Sequence, residues 1–351
     1  MLKVRVVGDP AALAGAWQDL ADHAVEPNPF YEPWMFLAAL EAWPSPLKHV
    51  FIEHGSSLVG FFPLERALLY RRVPLPHLRL WKYPHCYLGT PLVRRGYAAE
   101  CLRALRDWLK NDILHWRDVA ADGPFAAALG ESIGRFHLQP YQRSRALLRR
   151  HADAERYIAE ALPRASRKEL GRLRKRLSEK GRLTFSETDQ VGQFLELEAA
   201  GWKGERGSAL GSTVAGARFF RGMALQAAAR GRLMMLALEL DGRPVAMKCN
   251  LLAGEGAFAF KIAYHEAYAR FSPGLQLELE NIRAFHARAG LQWMDSCAAP
   301  DHFMLNRLWL ERRPLIDVLA ASGSAPGLAL SALELGAGAL RQLRRPWAIS
   351  T

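Results

Sequence analysis

No stretch constrains the fold of this chain more than Gly256 to Cys297. Ala257 to Tyr264 reads as a strand, His265 to Phe271 as a polar corner, the run from Ser272-Pro273-Gly274 to Ala289 as a helix, and Trp293-Met294-Asp295 as a second strand. Leu275, Leu279, Ile282, His286 and Ala289 recur at helical spacing, while Glu278, Arg283 and Arg288 fall elsewhere on the helix surface. Ser272 can cap the helix through its hydroxyl, Pro273 suits the first helical position, and Gly274 lets backbone amides approach a ligand closely. A helix begun this way at a strand end presents unpaired N–H groups and a partial positive charge, which suits an anion such as a diphosphate. The plainer alternative on the same residues is a packing helix with no ligand.

Two apolar runs precede this stretch, Leu233 to Leu240 and Val245 to Leu252, joined by Asp241-Gly242, a strong hairpin signal. A second turn at Ala253 to Gly256 leads into the strand that follows. Turns of these lengths put Lys248 opposite Lys261, with Asn250 on the same face and Glu239 there by parity. Two facing lysines need an anionic ligand or a nearby carboxylate, and Glu239 is such a carboxylate.

A chain of 351 residues, half of them hydrophobic, implies roughly two domains or two fused halves and a sizeable core. The opening MLKVRVVGDP reads as a strand rather than a secretion signal, and no apolar run approaches the roughly 20 residues that span a bilayer. Cys86, Cys101, Cys249 and Cys297 are scattered without metal spacing, so free thiols in a cytoplasmic protein with no metal are expected. The net charge of +12, from 47 basic against 35 acidic residues, favours an anionic partner: a nucleotide cofactor, nucleic acid or an acidic membrane surface.

The first half mixes strands and helices: a strand at Lys3 to Val7, a helix at Pro10 to His23, strands at Val50 to His54 and Leu58 to Leu64, a helix at Tyr97 to Leu109 and a buried strand at Arg117 to Ala120. Trp81, Tyr83, His85, Tyr87 and Gly89 fall in loops that either line a cleft or pack. Arg143 to Arg182 is the most basic segment. Within it Ser166-Arg-Lys-Glu169 forms a capping box, and Leu170, Leu173 and Leu177 make a narrow apolar stripe. Lys168, Arg172 and Arg176 repeat a like charge every four residues, which fits either an anion-binding face or a solvated one. Helices at Val191 to Trp202 and Val214 to Arg230 follow, and a last helix is expected from Leu328 to Leu343.

The order helix, helix, antiparallel strands, anion-binding turn, helix, strand resembles the GNAT acyltransferase core, and most of all the Fem-like and BioF2-like group that includes cellulose-biosynthesis acetyltransferases. Phe194-Leu-Glu-Leu-Glu198, Gly201-Trp202-Lys203-Gly204, Ala263-Tyr264-His265-Glu266, Ser272-Pro273-Gly274 and Asp295 carry the resemblance. It implies an α/β (α+β) fold of two fused GNAT-like halves, each a mixed central sheet flanked by helices. Residues 1–150 would be a degenerate half, 151–182 a basic connecting helix, 183–321 the catalytic half and 322–351 a helical tail.

The implied activity is transfer of an acyl group from acetyl-CoA or another acyl-CoA to a small-molecule or saccharide acceptor, by direct attack with general-base assistance. Arg270, Phe271, Ser272, Gly274, Leu275 and Gln276, a reduced version of the glycine-rich pyrophosphate loop, would hold the donor. Asp295 or His302 would serve as base, with Trp202 and Lys203 beside them. Glu198, Glu239, Lys248, Asn250, Lys261, Tyr264, Asp301, Asn306 and Arg307 would line the acceptor site.

Two alternatives stand on the basic helix. Fem-type ligases, which also resemble this group, take an aminoacyl group from tRNA, and a non-catalytic adaptor would use the same helix on nucleic acid or an acidic surface. Cys297 lacks a base partner, and no Gly-x-Ser-x-Gly elbow supports a serine nucleophile.

Overall fold

A computed structural model describes residues 1–132, 137–201, 204, 207 and 209–332. In chain order the elements begin with β1 (Lys3–Val7), α1 (Ala14–Asp22), α2 (Pro33–Ala42), β2 (Lys48–His54), β3 (Ser57–Tyr70), β4 (Val73–Leu80) and β5 (Leu92–Val93). Next come α3 (Ala98–Leu109), β6 (Ile113–Ala120), α4 (Pro124–Ser132), β7 (His137–Arg149), α5 (Ala154–Ala161), α6 (Arg164–Ser178), β8 (Leu183–Glu187) and α7 (Val191–Ala199). The chain continues through α8 (Val214–Ala229), β9 (Leu233–Leu240), β10 (Arg243–Ala253), β11 (Gly256–Tyr264), α9 (Pro273–Ala287), β12 (Trp293–Asp295), α10 (Phe303–Leu308) and β13 (Glu311–Ala321). Residues 324–332 are helical, and the rest of the expected tail helix lies outside the described residues. Among the described residues no helix is long and apolar enough to cross a membrane.

Two compact units interleave in sequence. One comprises Met1–Glu26, Ser45–Arg143 and the chain from Pro314 on; the other comprises Pro27–Pro44 and Ser144–Arg313. The sequence reading divides the chain into contiguous segments, 1–150, 151–182, 183–321 and 322–351. Instead β7 and β13 each carry the chain from one unit into the other, and α2 joins the second unit, where Trp43 at its end packs on Phe219 of α8 with ring centroids 4.9 Å apart.

Each unit is a mixed sheet with helices on both faces. In the first unit β1, β2, β3, β4, β6 and residues 314–321 of β13 follow one another, and β4 and β6 run parallel around α3. Its main core joins Phe62, Leu78 and Trp116 of the sheet to Leu102 and Leu105 of α3 and Phe125 of α4, while Trp17 of α1 meets Phe51 and Phe61. Trp81 and Tyr83 are buried and pack on each other.

In the second unit residues 144–149 of β7, then β12, β11, β10, β9 and β8 follow one another, and β11 and β12 run parallel around α9. Leu170 and Leu177 of α6, Tyr157 and Ile158 of α5, and Leu277, Ile282 and Phe285 of α9 fill the core on one face. On the other, Phe194 of α7 and Phe260 of β11 flank Phe220 of α8, the Phe220 and Phe260 rings stacking 6.3 Å apart.

Two bulges rewrite the expected register. The turn after β10 is as expected and pairing holds from Ala253↔Gly256 to Asn250↔Ala259, but Phe260 is an extra residue in β11, so Cys249 meets Lys261 and Lys248 meets Ile262. Lys248 therefore does not face Lys261. A second extra residue, Val245, moves Leu236 opposite Lys248 and turns Glu239 to the other face, where Thr184 donates to it at 3.5 Å. The capping box is also absent: α6 starts at Arg164 behind Pro163 with no side-chain cap, and Ser166 sits inside the helix accepting from Arg307 at 3.1 Å.

Candidate functional site

Pairing between β11 and β12 runs only from Gly256↔Trp293 to Phe258↔Asp295, so the C-terminal half of β11 continues beyond its parallel neighbour. At that end lies a cavity of about 580 Å³, a size that suits a small-molecule ligand. Ile262, Ala263 and Tyr264 of β11 form one side, Leu197, Glu198 and Gly201 at the end of α7 another, and Ser272 to Leu275 at the start of α9 a third. His302 and Met304 complete it.

The start of α9 differs from the expected cap. Ser272 has φ 52° and ψ 51°, left-handed backbone, and its side chain makes no capping bond. Pro273 has no N–H, and the Gln276 N–H already donates to the Ser272 carbonyl at 3.0 Å. The amides of Gly274 and Leu275 thus have no acceptor within the helix, and both residues line the cavity. A Cβ on Gly274 would lie 3.5 Å from Tyr264 Cδ1 and 3.9 Å from Ile262 Cδ1, so the glycine turns its bare Cα toward the β11 side. Phe271 and Gln276 are buried and act as braces, with Gln276 Nε2 donating to the Phe271 carbonyl at 2.8 Å. Arg270 is exposed and stacks on Phe271, its guanidinium carbon 4.8 Å from the ring centroid.

Three groups able to exchange protons share the cavity: Glu198, Tyr264 and His302. Glu198 is 1% exposed, and its Oε2 accepts the Leu210 N–H at 2.8 Å. His302 caps α10 through Nδ1, which accepts the Leu305 N–H at 3.3 Å. That bond puts the proton of a neutral ring on Nε2 and occupies the lone pair a base would use, so His302 is suited to donate.

Asp295 is elsewhere. It is fully buried: Arg145 Nε lies 2.6 Å from Oδ1, Arg145 Nη2 and Arg313 Nη1 donate to Oδ2 at 2.7 and 3.0 Å, and the Cys297 N–H donates to Oδ1 at 2.9 Å. Burial alone would raise its pKa, but Arg145 and then Arg313 outweigh burial and hold the carboxyl below the usual carboxylate range. A carboxylate so enclosed has neither the access nor the basicity to take a proton from an acceptor, which corrects its expected role. The Cys297 thiol is buried and pushed well up by desolvation, so it is no nucleophile.

Lys248 and Asn250 also leave the expected acceptor site. Lys248 Nζ donates to Glu278 Oε2 at 2.7 Å, Asn250 Nδ2 donates to Asn281 Oδ1 at 2.8 Å, and Glu278 Oε1 accepts from Asn281 at 2.9 Å and Trp309 Nε1 at 3.1 Å. This buried network ties β10 to α9. Neither Glu239 nor Lys261 lines the cavity; Lys261 is half-buried in β11. Asp301 is exposed, and Asn306 Nδ2 closes its loop by donating to the Pro300 carbonyl at 2.6 Å. Arg307 lines a second cavity of about 390 Å³ between α6 and α10, which shares Ser272, Leu275 and Met304 with the first. Trp202 and Lys203 lie outside the described residues. Arg145 and Arg313 went unread as functional partners because each sits in a basic run, and only tertiary structure brings them to Asp295.

Residues 164–303 match the model of an acetyltransferase (GNAT) domain, Acetyltransf_6. No curated protein matches the chain. Among solved structures, the crystal structure of FemX aligns with 90% of this chain and 96% of its own, at 10% identity and a TM-score of 0.57. A conserved protein of unknown function from Bacteroides thetaiotaomicron VPI-5482 aligns over 91% of this chain and 100% of its own, at 12% identity and a TM-score of 0.58. At such identities the likeness is one of fold. Residues 164–303 are thus similar to a GNAT acetyltransferase domain, in a chain whose fold is similar to that of FemX.

Proposed function

We propose that this chain transfers an acyl group from a CoA thioester to an amine or hydroxyl of a polar acceptor, such as a saccharide or cell-envelope precursor, in the cavity at the end of β11. The observation that carries this reading is one wall of the cavity: the left-handed Ser272, the Gly274 and Leu275 amides without helical acceptors, and no side chain at Gly274. Such a wall suits a diphosphate, because the amides converge on the positive end of the α9 dipole. The bound thioester supplies the activated acyl group.

The chain supplies the rest. Glu198 accepts the proton of the attacking amine or hydroxyl, and the Tyr264 hydroxyl donates a proton to the departing sulphur. His302, with its proton on Nε2, orients the acceptor by a hydrogen bond. Asp295 holds β12 against β7 and β13 through its two arginines and takes no part in proton transfer. The test is a panel of acyl-CoAs from acetyl upward, read by thermal shift and by thiol release with amino sugars and other polyols as acceptors. Stabilisation and thiol release support the reading; neither, with any donor, overturns it.

A second donor, aminoacyl-tRNA, is favoured by one observation: Arg164, Arg167, Lys168, Arg172, Lys175 and Arg176 are all exposed on α6. Tight tRNA binding that weakens steeply with salt would favour it, and no binding at low salt would remove it.

A further inference from the structure

β3 and β4 end in a two-residue turn, Arg71–Arg72, closed by the pair Tyr70↔Val73. Both arginines have positive φ, 45° and 72°, in a kind of turn that sequences ordinarily fill with Asn and Gly. An L side chain larger than Asn is strained there, so two arginines persist at a conformational cost.

Just before the turn, Leu68 and Leu69 are 65% and 58% exposed, and Val73 just after it is 41% exposed. Successive side chains of a strand point to opposite faces: the face with Tyr70 and Leu75 is buried, and the one with Leu69 and Pro74 is open to solvent. Arg66 is exposed beside them. From Arg66 to Ala99 the chain has no carboxylate, and Glu65 is engaged by Arg79 at 2.8 Å. The buried face fixes the hairpin end, since Tyr70 beside the turn and Leu75 belong to a buried cluster with Ile113, Leu319 and Leu330.

We infer that this hairpin tip seats the protein on an anionic lipid surface. Arg66, Arg71 and Arg72 pair with headgroup phosphates, and Leu68, Leu69 and Val73 enter the boundary between headgroups and acyl chains. Two exposed leucines among arginines suit that boundary, whereas single-stranded nucleic acid would call for exposed aromatic rings on which bases stack. The inference is independent of the transferase reading.

The test is co-sedimentation of the full-length protein with vesicles of phosphatidylcholine alone and of equal parts phosphatidylcholine and phosphatidylglycerol. The protein is expected on the anionic vesicles only, with binding that falls as salt rises. Leu68→Ser/Leu69→Ser and Arg71→Asn/Arg72→Gly should each lower vesicle affinity by about tenfold or more. The Arg71→Asn/Arg72→Gly protein should melt no lower than wild type, because Asn-Gly suits the turn. Absence of vesicle binding overturns the inference, as does binding that both variants retain, which would assign it to charge elsewhere. A dimer abolished by Leu68→Ser/Leu69→Ser would overturn it too, in favour of a second copy on the tip.

Discussion

Two buried acidic side chains of the second unit, Glu198 and Asp295, have different surroundings. Glu198 touches the cavity and spends one oxygen on the Leu210 amide, which the carbonyl of a glutamine accepts equally well. Glu198→Gln should therefore lower kcat by roughly 10²–10⁴-fold while the melting temperature stays near wild type, measured by steady-state kinetics and thermal shift on the same preparations. Asp295 should behave in the reverse way. Removing its charge leaves Arg145 and Arg313 buried without a counter-ion, and Asp295→Asn is expected to cost about 3–5 kcal/mol in urea unfolding. An Asp295→Asn protein that unfolds like wild type but is inactive would exchange the two roles. The same logic makes Lys248→Met severe alone and milder together with Glu278→Leu, since the double variant strands no buried charge.

Among the elements, α9 and the strands around it were readable because their patterns are local: apolar spacing, Asp-Gly, and a proline at the first helical position. The turn after β10 was read correctly, but the bulge three pairs further on was not, because Phe260 is held out of register by stacking on Phe220 of a distant helix. β7 was invisible for a related reason. It reads as part of a basic, solvated segment, yet Arg145 within it is buried against a carboxylate 150 positions away. The candidate residues followed the same rule: Glu198, Tyr264, Ser272, Gly274 and Leu275, singled out from motif order, line the cavity, whereas Asp295, Lys248 and Asn250 are buried braces. The helix start that motif order located can be probed directly. A Cβ at Gly274 would meet only ordinary contacts, so Gly274→Ala should fold normally but narrow the approach to the amides, raising KM for acyl-CoA about tenfold with a smaller change in kcat. Unchanged KM would remove α9 from donor binding.

At the scale of the molecule, acid should act in two stages. His49, His77 and His115 in the first unit and His286 in the second are all held below the ordinary histidine value of 6.5, and in each burial is the leading cause. The unfolded chain then binds more protons than the folded one once the pH drops below about 6.5, so stability is whole above that pH and is lost as the pH falls toward the lower folded values. Asp295, depressed from 3.8, adds its contribution above that value and loses it only below. Calorimetry at about pH 7.5 and about pH 5.5 should therefore show a lower melting temperature in the acid sample, above the range in which Asp295 takes up its proton. Repulsion within a chain of net charge +12 would act in the same direction, but added salt screens it and leaves the desolvation of a buried imidazole nearly untouched. A melting-temperature drop that persists in about 1 M salt and shrinks in a His77→Asn/His115→Gln variant identifies the histidines as its source; a drop abolished by salt assigns it to net charge instead.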